Sequence, residues 1–261
     1  MSGTTRPEPI RLFPVCLAAT FRPGILDAAR RVLEHLGQTV DIPREVTCCG
    51  QAAFNVGHWE EARRMARHTI EVLEQYPGPV VLPSGSCAAM LRVHYRELFA
   101  DDPPWRARAQ ALAERVYEFS EYLVEVLGVT RVPGALWGGR VTYHPSCHMA
   151  RELGVTRPPK VLLDNLPATV RVPLPDEDTC CGFGGAFSAQ YPALAASIGE
   201  HKVAALRDTE AHVAVTADPG CLLHLAGMLH RAGEDMPIVH LAELLAAALE
   251  PDPAPREASS S

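Results

Sequence analysis

The chain has no run of about 18 apolar residues, so nothing in it reads as a membrane-spanning helix. Its opening stretch, MSGTTRPEPIRLFPVCLAATFRPG, lacks the continuous apolar core of an export signal, because Pro14, Arg22 and Pro23 interrupt it. The expectation is a cytoplasmic protein in a reducing compartment, where cysteines serve metal or redox chemistry more often than structural disulfides. A basic excess is also missing: 24 Lys and Arg stand against 31 Asp and Glu, for a formal net charge of −7. With no basic run either, nucleic acid is excluded as the main partner. The Gly-rich stretch Gly182-Phe183-Gly184-Gly185 lacks the spacing G-x-G-x-x-G, so no nucleotide fingerprint is present. At 47% hydrophobic and 21% charged, the 261 residues otherwise suit a globular protein that can bury a core without disulfides.

The most informative absence is C-x-x-C, the close pair that structural zinc sites ordinarily use. Eight cysteines are present without it: Cys16, Cys48, Cys49, Cys87, Cys147, Cys180, Cys181 and Cys221. The last four repeat the first four at separations of 131, 132, 132 and 134 residues. The flanks repeat too, Thr47-Cys48-Cys49-Gly50 against Thr179-Cys180-Cys181-Gly182. A near-constant shift over all eight marks an internal duplication, with one half over 1–128, a second over 136–249, and a Pro- and Ser-rich tail at 250–261 expected to be disordered.

Each half alternates short apolar runs with helical periodicity. In the first, RLFPVCL, TVDIP and PVVLP read as strands. ILDAARRVLEHLG and EEARRMARHTIEVLEQY read as helices, the former ending at Gly37, and residues 106–127 are predicted to continue helical. In the second, RVTYHPSC, ATVRVPL and AHVAVTADPGC carry strands, the segment around 193–207 and LLHLAGMLHRAG are helices, and IVHLAELLAAAL gives a last strand and helix. Alternation of this kind predicts an α/β fold of two duplicated Rossmann-like halves, each a small parallel sheet flanked by helices. In such sheets the turns after the strands share one rim, so three cysteine-bearing turns per half can converge on one site.

Neighbouring residues in a flat strand point to opposite faces, so Cys48 and Cys49 can serve one centre only if the chain bends, which Gly50 permits. Four thiolates per half match a four-iron cluster and also a tetrahedral zinc site. Ligands spaced by tens of residues favour a cluster set into a preformed scaffold over a zinc knuckle. A lone cysteine is usually a small buried hydrophobe, a reading that suits a duplicated set poorly. A vicinal disulfide at either Cys-Cys pair would be strained.

These residues resemble the cysteine-rich CCG domain family, whose pattern is Cys, then Cys-Cys-Gly some 30–40 residues on, then Cys-x-x-Cys after a similar gap. The family includes the cysteine-rich subunit of heterodisulfide reductase, the iron–sulfur subunits of glycolate oxidase and anaerobic glycerol-3-phosphate dehydrogenase, and the lactate utilization A proteins. The segments CCGQAAFNVGHWEEAR, LPSGSCAAM, YHPSCHMARELG, CCGFGGAFS, ADPGCLLH and HLAELL are most similar to the last group. The resemblance implies an electron-transfer subunit of a cytosolic complex that oxidises L-lactate to pyruvate. Its implied partners are a ferredoxin-like iron–sulfur subunit and a third small subunit, and its implied cofactors are two [4Fe-4S] clusters, one per half, held through the eight cysteines. Related oxidation of glycolate or glycerol 3-phosphate, or thiol–disulfide reduction of the heterodisulfide-reductase type, stay open as alternatives. The chain departs from the pattern at the fifth cysteine of each half, replaced by Met90 and His224. That favours an ordinary cubane over the non-cubane cluster of heterodisulfide reductase.

His144, His148 and His224 are candidates to ligate iron or to hydrogen-bond beside it. Arg151 is a candidate carboxylate binder, though a solvated Arg is the commoner case, and His58 and His94 lie near the first half's cysteines in sequence. No residue is singled out as catalytic.

Overall fold

The structure, a computed structural model, describes residues 8–250. The tail expected at 250–261 falls, from residue 251, outside the described residues. Short apolar, β-branched runs form two four-stranded sheets. In the first, β1 (Ile10–Leu12), β2 (Val40–Asp41), β3 (Val80–Leu82) and β4 (Val116–Glu118) lie in the order β2-β1-β3-β4. In the second, β5 (Gly139–His144), β6 (Thr169–Val172), β7 (Val213–Thr216) and β8 (Ile238–His240) lie in the order β6-β5-β7-β8. Every pairing is parallel. The chain thus has the duplicated Rossmann-like α/β architecture that its sequence pattern predicts, with one strand order used twice.

One predicted element is corrected. Residues 106–127 are not one helical stretch: a helix spans Pro103–Ala113, β4 follows, and helical structure resumes at Phe119. The interruption has a local cause. Arg115 donates to the carbonyls of Leu73 at 2.5 Å, Tyr76 at 2.6 Å and Gly78 at 2.7 Å, and its own carbonyl accepts from Val80 N at 2.8 Å. These bonds stitch the chain to the free edge of β3 and bury Val116 beside it.

Side chains alternate across each strand, and the sheets use both faces. Ile10, Leu12 and Val81 enter a core that is continuous with Val141, Tyr143, Val213 and Val215 of the second sheet. The helices Gly24–His35 and Leu241–Ala247 complete that shared core and pack on each other. Val80 and Leu82 face an outer core under the helix Trp59–Glu74, and Ala214 faces another that Val203, Leu206 and Leu225 complete. Because the largest core belongs to both halves, their relative placement is fixed by packing.

The last strand of each half ends in the same device. Glu118 Oε2 accepts from the backbone N–H of Ser120 at 2.7 Å and Glu121 at 3.1 Å, while Glu121 accepts from Glu118 N. His240 and Glu243 form the equivalent capping box. Both cap residues are fully buried, and Glu118 Oε1 and His240 Nε2 lack partners. Burial pushes Glu118 up to about 8 and His240 down to about 4. An unfolded Glu ionises near 4.5, so the proton held by folded Glu118 makes stability fall as pH rises from about 4.5 to about 8. Glu118→Gln stays neutral and is expected to flatten that decline in denaturant unfolding followed across this window. An unchanged decline in the variant would contradict the assignment.

Candidate metal centre

All eight cysteines follow the C-terminal ends of strands or open the next helix, and all eight line one cavity of about 290 Å³. Cys16 starts a helix after β1, and Cys87 lies in the helix Gly85–Ala89 after β3. Cys48 and Cys49 precede the helix Gln51–Asn55. Cys147, Cys221 and the pair Cys180-Cys181 take the corresponding places after β5, β7 and β6. The chain bends after each Cys-Cys pair at a left-handed glycine, Gly50 with φ +87° and Gly182 with φ +95°. At Gly182 a Cβ would come within 2.4 Å of the Ala195 carbonyl, so the turn also needs the missing side chain for closeness.

All eight are free thiols. Sulfurs touch within each quartet: Cys16 and Cys48 at 3.7 Å, Cys49 and Cys87 at 3.4 Å, Cys181 and Cys221 at 3.3 Å. Backbone N–H groups point at them, Gly50 N to Cys48 Sγ at 3.5 Å, Gly182 N to Cys180 Sγ at 3.4 Å and Phe183 N to Cys181 Sγ at 3.5 Å. Hydrogen bonding from Cys16 and Cys49, helped by Gly50 N–H, holds Cys48 well below the usual thiol range. Cys147, Cys181 and Gly182 N–H do the same for Cys180. Hydrogen bonding to Cys48 and Cys180, with burial, pushes Cys16 and Cys147 up.

The two quartets are held to each other by Asp218. Its Oδ1 accepts from Gly220 N at 3.0 Å and Cys221 N at 3.4 Å, capping its own helix, Pro219–Ala232. Its Oδ2 accepts from Ser86 N at 2.8 Å and Ser84 Oγ at 3.2 Å, at the start of the helix that carries Cys87. One buried carboxylate therefore caps a cysteine helix from each half. Gly85 completes the junction, since a Cβ there would come 2.5 Å from Met149 Cβ.

The predicted histidines take different places. His144 is 1% exposed, with neither ring nitrogen hydrogen-bonded, and its ligand atom clusters with those of Cys181 and Cys221 within 4.8 Å. Burial, then the nearby Lys202 ammonium, push it down to about 3, so its ring is neutral at neutral pH. His148 lines the cavity, its Nδ1 3.7 Å from Cys147 Sγ. His224 lies behind the turn, its Nε2 3.2 Å from where a Gly182 Cβ would stand, and lines a separate hollow with Ser188 and Arg231. Met90 is fully buried in the first half's outer core. Arg151 donates to the Asp178 carbonyl at 2.5 Å. His94 is engaged by Glu152 at 2.8 Å, and His58 is exposed.

The cysteine-rich CCG domain profile matches residues 10–92 and 141–226, one match in each half. The chain belongs to the cysteine-rich CCG domain family. It is 43% identical over 237 residues to a lactate utilization protein A of Exiguobacterium sp., an alignment covering 90% of this chain and 96% of that protein. It is 44% identical over 236 residues to a lactate utilization protein A of Shouchella clausii, covering 90% and 98%. Among solved structures, a hypothetical protein from Helicobacter pylori shares the fold with a TM-score of 0.65 at 11% identity, over 95% of this chain and 50% of that one.

The donor set of each CCG quartet suits an iron–sulfur group: four thiols, N–H groups aimed at sulfur, and, in the second half, a buried imidazole with both nitrogens unpaired. The sequence reading missed Asp218, Ser84 and Lys202. Aligning the halves by their cysteines finds the first two, since Ser84 and Asp218 each stand three residues before a cysteine.

Cys16, Cys48, Cys147 and Cys180 are similarly half-buried, so their reactivities in metal-free protein report thiolate content. Brief alkylation near neutral pH, read by peptide mass spectrometry, is expected to label Cys48 and Cys180 before Cys16 and Cys147. Labelling in the reverse order would contradict the hydrogen-bond assignment.

Proposed function

We propose that the chain is an iron–sulfur electron-transfer subunit of a cytosolic complex that oxidises L-lactate to pyruvate. The observation that carries the reading is the meeting of two thiol quartets in one cavity. Cys16, Cys48, Cys49 and Cys87 would hold one [4Fe-4S] group, and Cys147, Cys180, Cys181 and Cys221 the other. Iron–sulfur groups supply one-electron transfer when bound. The protein supplies spacing, burial and N–H···S hydrogen bonds from Gly50, Gly182 and Phe183.

Oxidation of a 2-hydroxy acid to a 2-keto acid releases two electrons and two protons, and a pair of one-electron centres takes up both electrons. Among the described residues, Asp218 is the one carboxylate lining the cavity, and no Arg or Lys lines it. A lactate carboxylate finds no guanidinium or ammonium group to bind there. That supports relay of electrons over direct oxidation of the acid in this chain, with the substrate site on a companion subunit. The implied companions are a ferredoxin-like iron–sulfur subunit and a third small subunit. The relatives' names support lactate over glycolate or glycerol 3-phosphate. Among the described residues no helix is long and apolar enough to cross a membrane.

A second reading has one observation in its favour. The sulfur contacts of 3.3–3.7 Å approach the edge of a zinc–thiolate tetrahedron, about 3.8 Å for Zn–S bonds of about 2.3 Å, so a structural zinc site competes with the cluster. Protein purified without air is expected to be brown and to hold about eight iron and eight sulfide per chain, two four-iron groups. Replacing Cys49 or Cys181 with Ser is expected to remove about half of each. Zinc without iron in elemental analysis would overturn the proposal in favour of the structural site.

A further inference from the structure

The two quartets are built alike but surrounded differently. Aligned by the cysteine shift of 131, Phe13, Val15 and Leu17 of the first half stand where the second has His144, Ser146 and His148. The helices Trp59–Glu74 and Pro192–Arg207 begin and end 133 residues apart, which matches Thr69 with Lys202, both fully buried. At the shift of 134 set by Cys87 and Cys221, Met90 matches His224. At all five places a neutral, mostly apolar side chain in the first half is replaced by a nitrogen or oxygen donor in the second.

Lys202 carries the only change to a cation among these. Its Nζ donates to the carbonyls of Asp176 at 2.6 Å and Glu177 at 3.4 Å, in the turn leading to Cys180, so its partners are neutral carbonyls. Ala195, Gly199 and Lys202 lie on one buried stripe of that helix, and the first two pack against Gly182 and His224. The second quartet also receives one more N–H···S bond, from Phe183. Near it, His144 Nδ1 and Nε2, Ser146 Oγ and His224 Nε2 are buried without partners. Such atoms are costly to bury unless a bound group engages them.

Opposing charges are present. Asp218 replaces Ser84 and is itself buried; its carboxylate accepts two hydrogen bonds from each half, and its charge acts on Cys147 and Cys221 of the second quartet. Asp176 and Asp178 are exposed, and Glu177 is paired with Lys160 at 2.5 Å. Exposed charges are screened by water and salt more strongly than a buried ammonium is. Positive charge and hydrogen bonds to sulfur favour the reduced, more anionic state of a cluster and raise its potential.

We infer that the two centres are unequal, with the one held by Cys147, Cys180, Cys181 and Cys221 at the higher reduction potential. The inference rests on the iron–sulfur reading above. A single electron entering the pair settles in the second half: the first centre is oxidised by one electron as the second is reduced by one, with no bond made or broken. The second half is therefore the oxidising end of the relay, and the first half the reducing end.

The test is potentiometric titration of the anaerobic protein followed by electron paramagnetic resonance. Cys49→Ser and Cys181→Ser, each leaving one quartet intact, identify which signal belongs to which half. Two midpoints are expected, the higher one surviving in Cys49→Ser. Lys202→Thr, which copies the first half, is expected to lower that midpoint by at least about tenfold in the one-electron equilibrium, about 59 mV, and to leave the other unmoved. His144→Phe makes the same test from the other wall of the site, so loss of iron from one variant leaves the second to decide. Coincident or reversed midpoints, or an equal shift of both in Lys202→Thr, would overturn the inequality while leaving the cluster assignment intact. A protein without iron would overturn both.

Discussion

The site depends on one buried carboxylate. Asp218 ends its own strand turn, caps the helix of Cys221, and reaches across to the serines that begin the helix of Cys87. Hydrogen bonds to a charged group contribute more than neutral ones, about 1.5–3 kcal/mol each. Four of them on one residue fix two helix starts against each other. The shared core brings the two cysteine-lined rims to one cavity, and that junction sets how their helix starts meet there. The shared hydrophobic core supplies the bulk of the attachment, and Asp218 supplies its register at the site.

Duplication explains why so much of the arrangement could be read in advance. The shift that relates Cys16 to Cys147 also relates the strand β1 to β5, so four positions of chemistry report eight strands of architecture. The bend after Cys48-Cys49 was legible because only glycine tolerates a left-handed turn pressed against a neighbouring helix, and Gly50 and Gly182 both adopt it. β4 was not legible from its own residues, since VYE carries too little pattern to end a helix. Its counterpart makes it visible: Val116-Tyr117-Glu118 leads into a capped helix as Ile238-Val239-His240 does. Comparing halves succeeds there because the cap geometry is preserved while the cap residue changes.

Long-range placement was the least accessible part. Nothing in the spacing of cysteines says whether two quartets lie at opposite ends of a molecule or in one cleft. That is decided by which faces of the sheets are apolar, and both faces of both sheets are. The fate of individual polar residues depends on the same packing. Arg151 is spent on the Asp178 carbonyl, whereas His144 is held in a dry pocket with both nitrogens unused. Lys202 sits on a helical stripe of Ala and Gly and reads as a surface residue until that helix is laid against the turn of the second Cys-Cys pair.

The two halves have diverged around a common set of cysteines. Identical centres side by side would pass an electron without direction. Here the first quartet keeps Phe13 and Met90, and the second acquires His144 and Lys202, so one scaffold presents two different surroundings to the same ligand set. Two iron sites on a single cavity follow from the proposed function. Iron-edge anomalous scattering from crystals grown without air tests it most directly. Two groups of iron peaks are expected on the same cavity, one against Cys48 and Cys49 and one against Cys180 and Cys181. Iron at one quartet alone, or no iron peak at either, would contradict it.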